Sequence, residues 1–146
     1  MGSDFDMAFV AAVFCLLVIA LVAANLQGEN YTITNLTKDK TERTYMEIAN
    51  DSWSQMRGLM FRDKVIPILF PFGYTGKFPI HSYFCKEFDA VYLSENGTVV
   101  EIFRNIPPNV PRISPQKDAS YLLELPVDDT DALNIEVGDQ LAWSKL

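Results

Sequence analysis

His81, Cys85 and Asp89 stand four residues apart, and imidazole, thiolate and carboxylate together make a donor set for zinc or copper. On a regular strand, which the aromatic segment 80–84 predicts, that spacing keeps the side chains on one side but about 13 Å from one another. A single metal is out of reach of all three unless the chain bends. The simpler reading is a core-facing aromatic strand whose histidine bonds a carbonyl. His81 is the only histidine, and without a G-x-S-x-G elbow or a cysteine-protease signature no nucleophile is marked for it to serve. Arg57 and Arg62 bracket an apolar turn; guanidinium fits carboxylate or phosphate as a fork, so both are anion candidates, although such arginines more often fasten a helix end to a sheet. Arg112 lies in a stretch with Pro107, Pro108, Pro111 and Pro115, which cannot join a ladder and either docks a partner or crosses the open end of the fold. Asp128, Asp129 and Asp131 read as a solvated turn or helix start, without the twelve-residue pattern of a calcium loop. No catalytic residue is assigned and no cofactor is expected.

The elements that must position these groups are mostly strands. Residues 45–49 read as a strand, and Asp51-Ser52 offers N-cap chemistry for a short helix through Trp53, Met56, Leu59 and Met60. The apolar run 65–72 contains Pro67 and Pro71, which confine it to an edge or an irregular strand. Residues 90–93 and 99–103 form a hairpin across Ser94-Glu95-Asn96-Gly97, and residues 121–125 and 140–144 complete a sheet. Many short strands with one or two short helices predict a mostly β domain, a small sandwich or a barrel-like fold.

In front of this domain stands an apolar run of eighteen residues, 7–24, without a charge. As a helix it would be about 27 Å long, close to the hydrocarbon thickness of a bilayer. It is preceded by Asp4 and Asp6 rather than by a basic region, which favours a retained transmembrane anchor over a cleaved signal segment. Residues 1–26 are therefore read as the anchor, 27–44 as a polar juxtamembrane stalk or first edge strand, and 45–146 as the domain. Lys38, Lys40 and Arg43 lie near the end of the run and favour a cytoplasmic domain under the positive-inside rule. Against them stand four N-x-[ST] sequons, at Asn30, Asn35, Asn50 and Asn96, where roughly 0.9 are expected by chance. Sequons matter only outside the cytoplasm. The expectation is a single-pass protein of the cell membrane with its C-terminal domain outside.

Without the first 26 residues the chain has 17 Asp and Glu against 12 Lys and Arg, a net charge of −5, which argues against nucleic acid as a partner. The expected partners are the lipid bilayer, through residues 7–24, and an envelope or membrane-protein component. Cys15 lies in the apolar run and cannot meet Cys85 in the same chain.

Several segments, in order, carry a resemblance: Arg57-Gly58-Leu59-Met60-Phe61-Arg62, Ile68-Leu69-Phe70-Pro71-Phe72, Ile80-His81-Ser82-Tyr83-Phe84-Cys85, Phe88-Asp89-Ala90-Val91-Tyr92-Leu93, Asn96-Gly97-Thr98-Val99-Val100, Ala119-Ser120-Tyr121-Leu122-Leu123-Glu124-Leu125 and Gly138-Asp139. From about Met46 to Trp143 the chain resembles the family called domain of unknown function 192, also uncharacterised protein family 0127. The resemblance implies a small, mostly β, prokaryotic domain of sandwich type, frequently behind a signal or anchor, with no established biochemical role. Two departures stand out: Cys85 replaces a methionine common in relatives, and the segment from His81 to Asp89 is one residue shorter. The reading that follows is a non-catalytic, membrane-anchored binding or accessory module of the cell envelope. Its alternatives are a metal-dependent or hydrolytic enzyme centred on His81, and an accessory subunit of a membrane complex.

Overall fold

The computed structural model describes residues 28–146 and, before them, Val13. The expected anchor, residues 1–26, thus lies outside the described residues apart from Val13, and among the described residues no helix is long and apolar enough to cross a membrane. The elements run β1 (Glu29–Asn35), β2 (Lys40–Ile48), α1 (Ser52–Arg57), β3 (Ile68–Gly76), β4 (Phe88–Leu93), β5 (Val99–Ile106), β6 (Ala119–Leu125), α2 (Val127–Ala132) and β7 (Leu141–Lys145). The fold is mostly β with two short helices. Its strands form one seven-stranded sheet in the order β5-β4-β6-β3-β2-β1-β7, curved into a half-barrel rather than split into a sandwich.

All contacts in the sheet are antiparallel except β2 with β3, which meet only at Glu47↔Ile68 and Ile48↔Leu69. The two ends of the sheet approach each other at one rim. There Thr98 bridges Gln140, Leu141 N–H donates to the Gly97 carbonyl at 2.9 Å, and Val99 N–H donates to the Asp139 carbonyl at 2.8 Å. Gly97 permits that approach: its φ is +83° and a Cβ would stand 2.5 Å from the Leu141 oxygen.

Residues expected as a stalk are structural. β1 and the start of β2 form a hairpin paired from Glu29↔Met46 to Asn35↔Lys40, and β1 lies between β2 and β7 instead of at an edge. The polar, Thr-rich reading arises because only Ile33 and Asn35 of β1 are fully buried. β3, expected at an edge or as an irregular strand because of its prolines, is interior, between β2 and β6, and irregular, its register on β6 shifting between Pro71 and Gly76. Its prolines are tolerated because the β2 contact ends before Pro71, while Pro67 needs only its carbonyl, which accepts from Glu47 N–H at 3.1 Å.

The central strands are covered on both faces, so they read as nearly unbroken apolar runs. One face gathers Ala49, Leu59, Ile68, Phe70, Cys85, Phe88, Ala90, Tyr92 and Leu122. The other holds Ile33, Met46, Leu69, Val91, Leu93, Leu123, Leu125, Leu133 and Ile135, closed by the segment after α2. Period-2 alternation along β6 therefore sends Leu122 and Glu124 to the first face, and Leu123 and Leu125 to the second.

Candidate functional site

On the first face α1 stands above the sheet. Asp51 caps it, accepting from Trp53 N–H at 2.9 Å and Ser54 N–H at 3.0 Å while Ser54 Oγ reaches back to Asp51 N–H at 3.3 Å. Those donated bonds hold the Asp51 carboxyl below the usual carboxylate range. Gln55 Nε2 ties the helix down by donating to the carbonyls of Ala49 and Pro71. The helix ends at Gly58, with φ 45° and ψ −124°, a conformation open essentially to glycine. A Cβ there would lie 3.3 Å from Phe70 Cζ and 3.5 Å from Glu124 Oε2. Beyond it Arg62 folds back, donating to the Gly58 carbonyl at 2.9 Å and gripping Glu47 through two bonds of 2.9 and 2.6 Å.

Between α1 and the sheet is a pocket of about 420 Å³, with Arg57, Phe72, Tyr74, Phe78, His81, Cys85 and Glu124 among its lining side chains. Phe72 and Phe78 stack at 3.8 Å between centroids, and Tyr74 meets Phe78 edge-on at 5.0 Å. The buried Tyr92 hydroxyl donates to the Phe78 carbonyl at 2.8 Å and so fixes this aromatic wall.

Glu124 lies at the base, only 5% exposed, between Ile68 and Ala90 in the sheet. Its Oε2 has no hydrogen-bond partner among the described residues. Burial, partly offset by the Arg62 charge, pushes the Glu124 carboxyl up to about 8. At neutral pH it is mostly protonated and can donate. The neighbouring Cys85 thiol is pushed up to about 11, first by burial and then by Glu124, which leaves it a poor nucleophile. Arg57 makes no ion pair or side-chain hydrogen bond among the described residues. Its value is lowered by burial and by Arg62. The cation felt by Glu124 is Arg62, so the two unpartnered groups of the pocket do not satisfy each other.

The residues singled out from sequence are distributed unevenly. Arg57, His81 and Cys85 line the pocket. Arg62 is occupied by Glu47, and Arg112 is on the far loop, its Nε donating to Ser114 Oγ at 2.9 Å. Residues 80–84 are not a strand: Ile80 makes an isolated bridge to Ile113, and Cys85 N–H closes a turn on the Ser82 carbonyl at 3.2 Å. Ser82 Oγ imposes the turn by donating to the Pro107 carbonyl at 2.6 Å and accepting from Val110 N–H at 2.8 Å. His81 is exposed, with Nδ1 accepting from Tyr83 N–H at 3.2 Å. Asp89 faces the other side of the sheet, where it accepts from Asn105 N–H at 2.6 Å and pairs with Arg104 at 3.6 Å. The weak metal set of His81, Cys85 and Asp89 is thus not assembled, and among the described residues no group of three His, Cys, Asp or Glu is placed to hold a metal ion.

Of the sequons, Asn30, Asn50 and Asn96 are exposed. Asn35 is fully buried. Its Nδ2 donates to the Leu133 carbonyl and to Asp139 Oδ2, and its Oδ1 accepts from Thr37 and Lys38 N–H. That corrects its place among the glycosylation candidates: the folded domain leaves no room for a glycan there. Glu124 was missed because it sits inside an apolar strand motif. Its signal was a lone carboxylate in a segment read as core.

Residues 33–143 match the family model DUF192, described as uncharacterized ACR. The chain belongs to this family. A UPF0127 protein of Pyrococcus furiosus is 30% identical over 115 residues, covering 77% of this chain and 97% of the relative. One of Pyrococcus abyssi is 30% identical over 114 residues, covering 76% and 96%. Two solved structures share the DUF192 chain's fold. A protein of Sinorhizobium meliloti 1021, named only provisionally as a transcription regulator, aligns with a TM-score of 0.72 at 24% identity, over 83% of this chain and 97% of that one. A protein of unknown function from Novosphingobium aromaticivorans aligns at 0.69 and 21% identity, over 81% and 86%.

Proposed function

We propose that this DUF192 chain is a non-catalytic binding module of the cell envelope, tethered by residues 7–24 and facing outward, whose pocket takes a small ligand. The observation that carries the binding reading is the pair of unsatisfied groups in one pocket: a buried Glu124 oxygen without a partner and an Arg57 guanidinium without an anion. A buried polar atom left unpaired costs about 1–3 kcal/mol, and a ligand that satisfies it regains that amount. The fitting ligand carries an anionic group for Arg57, an apolar or planar body for the Phe72–Phe78 wall, and an acceptor for the protonated Glu124 carboxyl. The outward orientation draws support from the exposed sequons Asn30, Asn50 and Asn96.

The test is ligand-observed NMR with a panel of small carboxylates, sulfonates and phosphate esters at pH 6. Binders whose signal is lost in Arg57→Ala and Phe78→Ala support the reading. A panel without binders, or binders indifferent to both changes, removes it. A catalytic reading has one observation in its favour, since a carboxyl with Glu124's raised value suits a general acid. Turnover of any binder, abolished by Glu124→Gln, would replace the non-catalytic reading.

A further inference from the structure

Phe61 and Phe84 come from different loops, and both adopt left-handed backbone, with φ of 58° and 57°. For bulky side chains this conformation is a true outlier. Strain of this kind concentrates at functional sites, where the surroundings over-determine it. Those surroundings are present. Phe61 N–H donates to the Phe84 carbonyl at 2.9 Å, Phe84 N–H donates to Asn109 Oδ1 at 3.1 Å, and Lys86 Nζ donates to the Asp63 carbonyl. The construction serves no core. The two rings stack at 4.7 Å and are 69% and 59% exposed, with Tyr83 continuing the patch at 6.4 Å from Phe84.

The place where the chain enters the domain says what this patch meets. Gly28 packs against the Tyr45 ring and Glu47 Cγ. Glu47 holds Arg62, the residue after Phe61. The entry point is therefore one ion pair away from the aromatic pair. From Ala24, the last residue of the apolar run, to Gly28 is four residues, a reach of at most about 14 Å. A tether that short keeps this corner of the domain against the headgroups. Around the pair the exposed charges balance, Lys64 and Lys86 against Asp63 and Glu87, which suits a zwitterionic surface.

We propose that Phe61, Phe84 and Tyr83 form an interfacial foot that inserts into the headgroup zone of the membrane carrying the chain. The inference rests on the tether in the function proposed above. Aromatic side chains favour that zone. Because Met60 and Cys85, the neighbours of the two phenylalanines, line the pocket, the foot also fixes the pocket's rim at the bilayer surface.

The test uses the full chain in dioleoylphosphatidylcholine vesicles. Phe61→Trp, and separately Phe84→Trp, are made in a chain whose Trp53 and Trp143 are Phe. The same background with Glu95→Trp, in the hairpin at the opposite end of β1 from Gly28, is the control. The expected result is emission from position 61 or 84 shifted to the blue and quenched roughly twofold or more by dibrominated phosphatidylcholine, with position 95 unaffected. A solvated, unquenched tryptophan at both positions, in chains that float with the vesicles, overturns the foot and leaves the tether standing. A blue-shifted but unquenched signal means that protein covers the patch, a second copy or the chain's own N-terminal segment, and also overturns it. Chains that fail to float overturn the tether and the foot with it.

Discussion

Replacing Glu124 by Gln should flatten the pH dependence of stability between about pH 5 and 8. In the folded chain, burial pushes the carboxyl from an ordinary 4.5 up to about 8. Once unfolded it loses its proton near the ordinary value. Between those two limits the native state therefore holds a proton that the unfolded state has released, so stability is full below pH 4.5 and falls as pH rises toward 8. At roughly 1.4 kcal/mol per tenfold change in proton affinity, the loss is about 5 kcal/mol as an upper bound. Water entry and relaxation around the ionised group bring it down to a few, still a large part of the 5–15 kcal/mol that holds a domain together. Glutamine keeps the shape and cannot ionise. Urea melts of both chains at intervals from pH 5 to 9, compared as the difference between them, cancel every other titrating group, including Asp129, whose burial raises it as well. The wild type should lose ground to Glu124→Gln steadily up to about pH 8. A difference that stays constant over this range, or that moves in favour of the wild type, would refute the account of Glu124 as a buried, unpartnered carboxyl.

The same geometry carries four further outcomes. Arg62→Met should lower stability by about 3–5 kcal/mol because it strands the nearly buried Glu47, whereas a double change to apolar residues should recover much of it, as a double-mutant cycle in urea would read. The Cys85 thiol, buried and raised to about 11, should react with Ellman's reagent at pH 8 far more slowly than after unfolding in urea; equal rates would contradict its burial. Asn35→Ala should cost about 1–3 kcal/mol by removing its bond to the buried Asp139 carboxylate, which then keeps its bond from Glu136 N–H, and by leaving the Thr37 and Lys38 N–H groups without an acceptor. Expression in a glycosylating host followed by peptide mass mapping should find Asn35 unmodified.

Local chemistry made much of the fold readable. Asn96-Gly97 marks its hairpin because Gly97 accepts the positive φ that closes the turn, and Asp51 marks α1 because its side chain satisfies the first free N–H groups. Legibility failed where partners distant in sequence decide the outcome. Residues 80–84 carry the aromatic composition of a strand, yet Ser82, held by Pro107 and Val110, turns the chain instead. β1 looks like a solvated stalk because its burial is supplied by α2's C-terminal segment and β7, about a hundred residues away.

The candidate site divides along the same line. Arg57 and His81 were marked by type alone, since few residues offer a fork of donors or an imidazole. Glu124 became prominent only when Gly58, Phe70 and Cys85 were seen around it, because the difference between a surface carboxylate and a protonated one is made by the dielectric its neighbours create. By itself the sequence determined the family, the mostly β composition, the turn and cap positions and the eighteen-residue apolar run, all of which rest on residue type and short spacing. Only the tertiary structure decided that Asp89 and His81 lie on opposite faces, that Arg62 is already paired while Arg57 is not, and that one glutamate is buried beneath a glycine. Those are facts about which groups meet across a curved sheet, and strand pairing sets them over distances that no local pattern encodes.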